Sequence, residues 1–570
     1  MMRTLASLLL CGALLTSVTA DQRAAAPAGM AEVAGIVRAA AGAPAPRALV
    51  LIAGTDVGVI RVTSTDATGH FAFAGLPPGR FLLGAGKPAY LAALYGAGRP
   101  GRPGTTVTLA AGQNISDVSL DLTKGAVISG HVVDEHGQPV IGARVRVLPR
   151  REVGDEITLG ADAGDPAGAT TDDRGAYRVF DLLPGDYVVA LQPRGVGGGP
   201  PLVAYSSVYF PASPRASDAE VIHVTAGEER RDVDLRTSLV SLVRVEGVVT
   251  GPAAAAGSAT NIQVLLRPSG QNAAGTVLNS QATRPGPDGR FAFPAVPPGA
   301  YDVVARTLPP PGPQPAGSAP FAPNWAMSRV AIASAAPPTV PLALQPALTI
   351  TGRIVFEGLS QPPDDAPNIR IGVRPTPGSA VPNLPDPVLM DRSGRFTIAN
   401  LTPGRYRLFV AVPTNNVTQV PDWFPRMALV GSSDALDVPL TLGAGVDTHD
   451  VSILLTDDSP EIAGTARDAK GKPVHDCTVI AFSTDRRSWF PQSRRIVVRQ
   501  SGEDGLFVFG LAAGLPPGEY YVAALPDLGP GEQFDSVLLG ELAKTAERVR
   551  LADGDSKTVD VRLLTAQVVR

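Results

Sequence analysis

The stretch Gly69-His70-Phe71-Ala72-Phe73-Ala74-Gly75-Leu76-Pro77-Pro78-Gly79-Arg80-Phe81 decides how the chain is to be read. Side chains two apart on a strand share a face, so Phe71 and Phe73 point one way, and Pro78-Gly79 supplies a corner into a second aromatic strand. The same pattern recurs from Gly175 to Tyr187, Gly289 to Tyr301, Gly394 to Tyr406 and Gly505 to Tyr520, with corners at Pro184-Gly185, Pro298-Gly299, Pro403-Gly404 and Pro517-Gly518. Five copies in 570 residues make the chain an array of similar units. The fifth copy departs in its turn, where Leu511 to Gly514 lengthens the connection.

Working outward, each copy is preceded by a strand whose apolar residues flank a glycine: Val33-Gly35-Val37, Ile128-Gly130-Val132, Val245-Gly247-Val249, Ile350-Gly352-Ile354 and Ile462-Gly464-Ala466. A glycine there marks a close approach, and a core aromatic of the repeat is expected to fill the gap. A second strand alternates through Ala48-Val50-Ile52, Ala143-Val145-Val147, Ile262-Val264-Leu266, Ile369-Ile371-Val373 and Cys477-Val479-Ala481. That alignment makes Cys477 a small buried hydrophobe. Asp66, Asp172, Asp288, Asp391 and Asp504 punctuate the entry to each motif, and further alternation closes each copy. About seven short strands per hundred residues predict an all-β chain, a tandem array of five antiparallel β-sandwiches. The expected units span residues 33–122, 126–236, 243–345, 347–456 and 460–565, with linkers at Thr123-Lys124-Gly125, Thr237 to Leu242, Pro346 and Asp457 to Ser459. One helix is expected, over Ser536 to Glu547.

Residues 1–20 pair an early Arg3 with a short apolar run and end in small residues at Ala20, which predicts a secretory signal peptide followed by a linker over residues 21–32. No later apolar run is long enough to span a bilayer, so the expected location is the periplasm, the cell surface or the medium. With Cys11 in the signal, Cys477 is the one remaining thiol, and stability is expected from packed cores rather than disulfides. A formal net charge of -4 gives no basic footprint, so no nucleic-acid partner is expected.

The order Gly130-x-Val132, Gly137-x-Pro139, Gly142-Ala143-x-Val145, then Thr171-Asp172, Gly175-x-Tyr177 and Leu182-x-Pro184-Gly185-x-Tyr187 resembles the carboxypeptidase regulatory-like domain. The resemblance covers nearly the whole chain, is most specific in copies 2 and 5, and weakens at the start of copies 3 and 4. It implies a transthyretin-like, immunoglobulin-like sandwich of the carbohydrate-binding-like fold group, and an accessory module without catalytic residues of its own. None of the six histidines has a Glu three positions later, and no Gly-x-Ser-x-Gly elbow or phosphate loop occurs, so no enzyme, cofactor or catalytic residue is expected. Lysines are absent from the first-strand triplets, which argues against the Lys-Asn crosslink of pilin-like relatives. The acidic residues Asp155, Glu156, Asp162, Asp165, Asp172 and Asp173 lack regular ligand spacing and read as a solvated loop, with no metal expected.

The functional reading at this level is a non-catalytic secreted structural or interaction protein with an unknown protein or polysaccharide partner at the cell envelope. The alternative is a carbohydrate-binding protein using aromatic loop residues. Tyr209-Phe210-Pro211, Trp423-Phe424-Pro425 and Trp489-Phe490-Pro491 repeat one motif and Trp325 sits comparably, so Tyr209, Trp325, Trp423 and Trp489 are the candidate ligand-binding residues. The competing reading, that these rings cap sandwich ends or seal domain contacts, is favoured because Trp489 precedes its repeat motif while the others follow theirs.

Overall fold

Period-two alternation needs two buried faces to meet, and among the described residues five apolar clusters each lie between two sheets. The computed structural model describes residues 30–564 except 103, 154–155, 161–166, 193, 197–201, 252–260, 270–279, 309–322, 334–338, 359, 363–367, 377–383, 414–422, 444–446, 511–513 and 530. The expected signal peptide and most of the N-terminal linker therefore lie outside the described residues, as do Asp155, Asp162, Asp165 and the extra turn residues 511–513.

The first sandwich shows the plan. One sheet has the order His70–Leu76, Ala31–Arg38, Asn114–Asp121, and the other is built on Leu49–Gly54 and Gly79–Lys87, flanked by Ile60–Ser64, Tyr90–Leu94 and Thr106–Leu109. Most pairings are antiparallel, but Ala31–Arg38 runs parallel to Asn114–Asp121, and the first strand of every other copy likewise pairs in parallel with that copy's closing strand.

The glycine of the first strand sits where that parallel ladder is broken, as in the register shifts beside Gly35 and Gly352. A Cβ on Gly35, Gly130, Gly352 or Gly464 would run first into the carbonyl oxygen of Val118, Val233, Val451 or Val559 in the closing segment, Val233 and Val559 lying where that segment breaks between two short strands. Phe396 and Phe507 press the same site from the core side, and at Gly247 the Phe291 ring comes first, ahead of the Val340 carbonyl. The expected aromatic filler is thus the first neighbour in one copy; elsewhere a bulged backbone imposes the glycine.

At the Pro-Gly corner the aromatic that follows closes the turn. Tyr187, Tyr301, Tyr406 and Tyr520 each donate their hydroxyl to the carbonyl four residues back, at 2.7, 3.0, 2.7 and 2.6 Å. Burial pushes Tyr187, Tyr301 and Tyr520 up to about 12, so all three stay neutral donors. Phe81 fills this place in the first copy without the bond.

The motif entry has two solutions. Asp66, Asp172 and Asp391 accept the N–H groups two and four residues on. Asp288 and Asp504 lie two positions later in register, and Gly286 and Gly502 make the turn with backbone bonds instead. Just before this turn, Thr65, Thr171 and Ser501 bury a hydroxyl that ties the preceding loop, for example Thr171 Oγ1 to the Val140 carbonyl at 2.6 Å and the Ala143 N–H to Thr171 Oγ1 at 2.8 Å. Copies 3 and 4 have Pro285 and Met390 there, without a hydroxyl to make this tie. Cys477 lies in the fifth core beside Ser501, and burial raises its thiol pKa.

The segments expected as linkers are tied down. Lys124 bridges to Tyr90, Leu239–Ser241 pairs with Val203–Tyr205, Gln345–Pro346 pairs with Asn324 and Trp325, and Asp457 accepts the Ser360 N–H at 2.7 Å. The helix is shorter than expected, Ser536–Leu542, because Glu547 already begins the strand Glu547–Leu551. Asp535 caps it by accepting from Val537 and Leu538.

Candidate functional site

The four candidate rings are dispersed over four sandwiches and all are buried, with 1% of Tyr209, 6% of Trp325, 2% of Trp423 and 2% of Trp489 exposed. Trp325 Nε1 donates to the Pro346 carbonyl at 3.2 Å, Trp423 stands edge-on to Phe356 at 5.0 Å, and Trp489 Nε1 donates to the Ser483 carbonyl at 2.7 Å beside Phe482. Stacking on a sugar needs a free ring face, and none of the four offers one. This corrects the expectation of aromatic binding loops; the rings are packing residues.

The Tyr209 hydroxyl has no partner among the described residues; it lies among Leu148, Leu159, Val188 and Ala190, and burial pushes it up to about 12. A buried orphan hydroxyl costs stability, whereas a corner hydroxyl contributes to it. Tyr209→Phe is therefore expected to leave the unfolding free energy unchanged or raise it by about 1 kcal/mol, and Tyr406→Phe to lower it by about 1 kcal/mol. Urea denaturation of the two variants side by side checks the opposite signs.

The Trp-Phe-Pro motif divides its two rings between two tasks. Adjacent residues on a strand point to opposite sides. Trp423 enters its own core, while Phe424 lies against Gly514 of the fifth sandwich. Phe490, next to the buried Trp489, receives the Arg407 guanidinium of the fourth sandwich 3.5 Å from its ring centroid. The strand after Trp423, Phe424–Val430, also changes sheets: it pairs with Thr448–Thr456, whereas Asn324–Ile332, after the corner of the third copy, pairs with the corner strand Gly299–Thr307.

Between these rings lies a partly buried charge cluster with no signal in the repeat. Arg494 donates to Asp434 Oδ2 at 2.6 Å, to both Asp437 oxygens at 2.9 Å, and to the carbonyls of Pro425 and Arg426 at 2.8 Å. Arg495 adds a bond to Asp437 Oδ2 at 2.8 Å and one to the Pro517 carbonyl at 3.0 Å. Burial acts to raise the Asp437 pKa, but the hydrogen bonds and charges of Arg494 and Arg495 outweigh it and hold the carboxyl below its ordinary value. Arg426 extends the junction by reaching Glu357 and Asp553 at 3.2 and 2.8 Å.

The fifth copy also inserts a non-repeating segment between Gly518–Leu525 and Glu547–Leu551. Its helix covers the outer face of the sheet, where Ile480, Phe482, Trp489, Leu525, Leu539 and Leu542 form a second apolar layer. The helix meets strand Arg144–Val153 of the second sandwich and borders an open cleft of about 490 Å³, lined by Glu152, Arg486, Glu541 and Lys544 among others. Carboxylates and cations mix there, and Lys544 is already paired with Glu541 at 2.7 Å. The same insertion brings Asp527 and Glu532 to Arg99 and Arg102 of the first sandwich. At the turn of the second copy, Asp134, Glu135 and His136 gather ligand atoms within 4.8 Å, but Asp134 Oδ1 already accepts the N–H groups of His136 and Gln138.

Residues 32–123 match the family model described as carboxypeptidase regulatory-like domain. No curated protein matches. Solved structures similar to the chain include the minor pilin GBS52 of Streptococcus agalactiae, 14% identical over 37% of this chain and 96% of that one, with a TM-score of 0.21. A streptococcal ancillary pilin is 11% identical over 55% and 99%, with a TM-score of 0.20, and the Bacillus anthracis TIE protein 10% identical over 90% and 68%, with a TM-score of 0.14.

Proposed function

We propose that the chain, whose first sandwich is a carboxypeptidase regulatory-like domain, is a non-catalytic structural and interaction protein of the cell envelope. The observation that carries this reading is where the repeated residues go: into turns, cores and junctions. Asp66, Asp172 and Asp391 hold turns, the corner tyrosines hold corners, and the Trp-Phe-Pro rings hold a core and a domain contact. What varies between copies is the segment after the corner strand, such as Tyr90–Leu94 with its following loop in the first and the helical insertion in the fifth. Variable loops on a common scaffold are where such proteins carry recognition.

The test is copurification of the tagged chain from an envelope fraction, alongside polysaccharide retardation and a peptidase and glycosidase screen of the pure protein. A reproducible protein partner, lost when the loops are exchanged between copies, is the expected result. Turnover in the screen would overturn the non-catalytic reading. Retention on a polysaccharide would return the assignment to carbohydrate binding, through surfaces other than the four buried rings.

A further inference from the structure

Arg102 is only 6% exposed, yet it lies in a loop of the first sandwich and its counterions lie in the fifth. Its Nε is 3.4 Å from Asp527 Oδ1, its Nη1 bonds Glu532, and Arg99 Nη2 lies 3.5 Å from the same Asp527 oxygen. The two loops hold equivalent places in their copies. Each follows the corner strand, Gly79–Lys87 or Gly518–Leu525, and precedes a strand that pairs back onto it, Thr106–Leu109 or Glu547–Leu551. Glycines permit the approach: a Cβ on Gly98 would meet Asp527 Oδ2 at 2.5 Å, and one on Gly529 would enter the Arg102 guanidinium. The Gly529 N–H donates to Glu532 Oε2 at 3.1 Å, which orients the acceptor.

We propose that this junction is a releasable clasp, in which the non-repeating loops of the first and last sandwiches close the array on itself through Arg102 and open it when that charge pairing is lost. The inference goes beyond the proposed function and stands without it. Residues 95–102 add no side chain to the apolar clusters of the fifth sandwich, and Leu528 and Phe534 turn inward against the helix-covered layer of their own domain. Among the described residues the clasp therefore rests on ion pairs, with the fifth-sandwich helix against Arg144–Val153 beside it, in contrast to the junction of the fourth and fifth sandwiches, which adds Phe424, Phe490 and backbone acceptors. Desolvation of an ion pair offsets most of its attraction, so closed and open arrangements lie close in free energy. Polar contacts of this kind between domains of one chain behave like transient interfaces. Salt stabilises the exposed charges of the parted loops and screens the more exposed Arg99–Asp527 pair, so it favours the open arrangement while leaving the apolar cores intact.

The test is small-angle X-ray scattering on the full chain at low and high NaCl, with circular dichroism and thermal melting as the folding control. The wild type is expected to expand with salt, its radius of gyration rising by roughly a tenth or more from the value of a compact chain. Arg102→Glu is expected to be expanded already at low salt, and Arg102→Glu combined with Glu532→Arg to recover the compact value. Arg99→Glu, at the more exposed edge, gives a smaller expansion and serves as the second variant should Arg102→Glu fail to fold. A radius of gyration indifferent to salt in the wild type, or folded single variants as compact as the wild type, would overturn the clasp. So would a folded charge-swapped double variant that stays expanded.

Discussion

Asp437→Ala is expected to lower the unfolding free energy of the fourth and fifth sandwiches by about 3 kcal/mol, the low end of the cost of leaving buried cations without their counterion, because these two are only partly buried. Asp437 bonds both Arg494 and Arg495, which are 16% and 20% exposed in their side chains, so neither can recover full hydration without parting the two domains. Asp437→Asn keeps the shape and loses the charge, and is expected to cost nearly as much. Guanidinium denaturation followed by tryptophan fluorescence suits the measurement, since Trp423 and Trp489 lie one on each side of the junction. The same residue predicts a pH dependence. Its folded pKa is lowered from an ordinary value of 3.8, so its stabilisation is fully present above that value and is lost as pH falls through the lower, folded one. The stability difference between wild type and Asp437→Asn should therefore be constant from neutral pH down to about 5 and shrink below about 4. A difference already shrinking between pH 7 and 5 would assign the effect to another group.

Much of the sandwich is legible in the sequence because its cause is local. Alternation at spacing two names the inward face, a Pro-Gly corner names the turn, and Cys477 can be placed in a core from the register of Val479 and Ala481 alone. The junctions are another matter. Arg494 and Asp437 are fifty-seven positions apart and Arg102 and Glu532 four hundred and thirty, and neither pair shares a periodicity that would link them. The aromatic motif lies between these cases. Alternation shows that Trp423 and Phe424 face opposite ways, but the choice between solvent and a neighbouring sandwich depends on what the fifth domain brings to Phe424. For the same reason the glycine of each first strand can be read as a close approach, while the identity of the approaching group cannot. A carbonyl of a broken parallel ladder has no signature in side-chain pattern.

That carbonyl gives the second large expectation. At Gly464 an added Cβ would collide with the Val559 carbonyl oxygen, and it would lie 2.9 Å from Phe507 Cζ. Neither neighbour can yield cheaply. Val559 is fixed because its own N–H donates to the Ala463 carbonyl at 2.8 Å, and Phe507 packs on Phe509 at 5.6 Å inside the core. Overpacking that moves backbone as well as side chains lies at the upper end of such costs, so Gly464→Ala is expected to destabilise the fifth sandwich by about 3 kcal/mol or more, and Gly464→Val to unfold it. Gly443→Ala is the control: no atom of the described residues lies within 4 Å of its would-be Cβ, and a change within about 0.5 kcal/mol is expected. Because the fifth sandwich supplies Arg494 to the fourth and Glu532 to the first, its loss should also loosen both junctions. Limited proteolysis of Gly464→Val should cut first in the fifth sandwich and then at the segments that join its neighbours. Equal resistance in the Gly464 and Gly443 variants would show that the ladder can shift to admit a side chain, and that the glycine is not imposed by the closing strand.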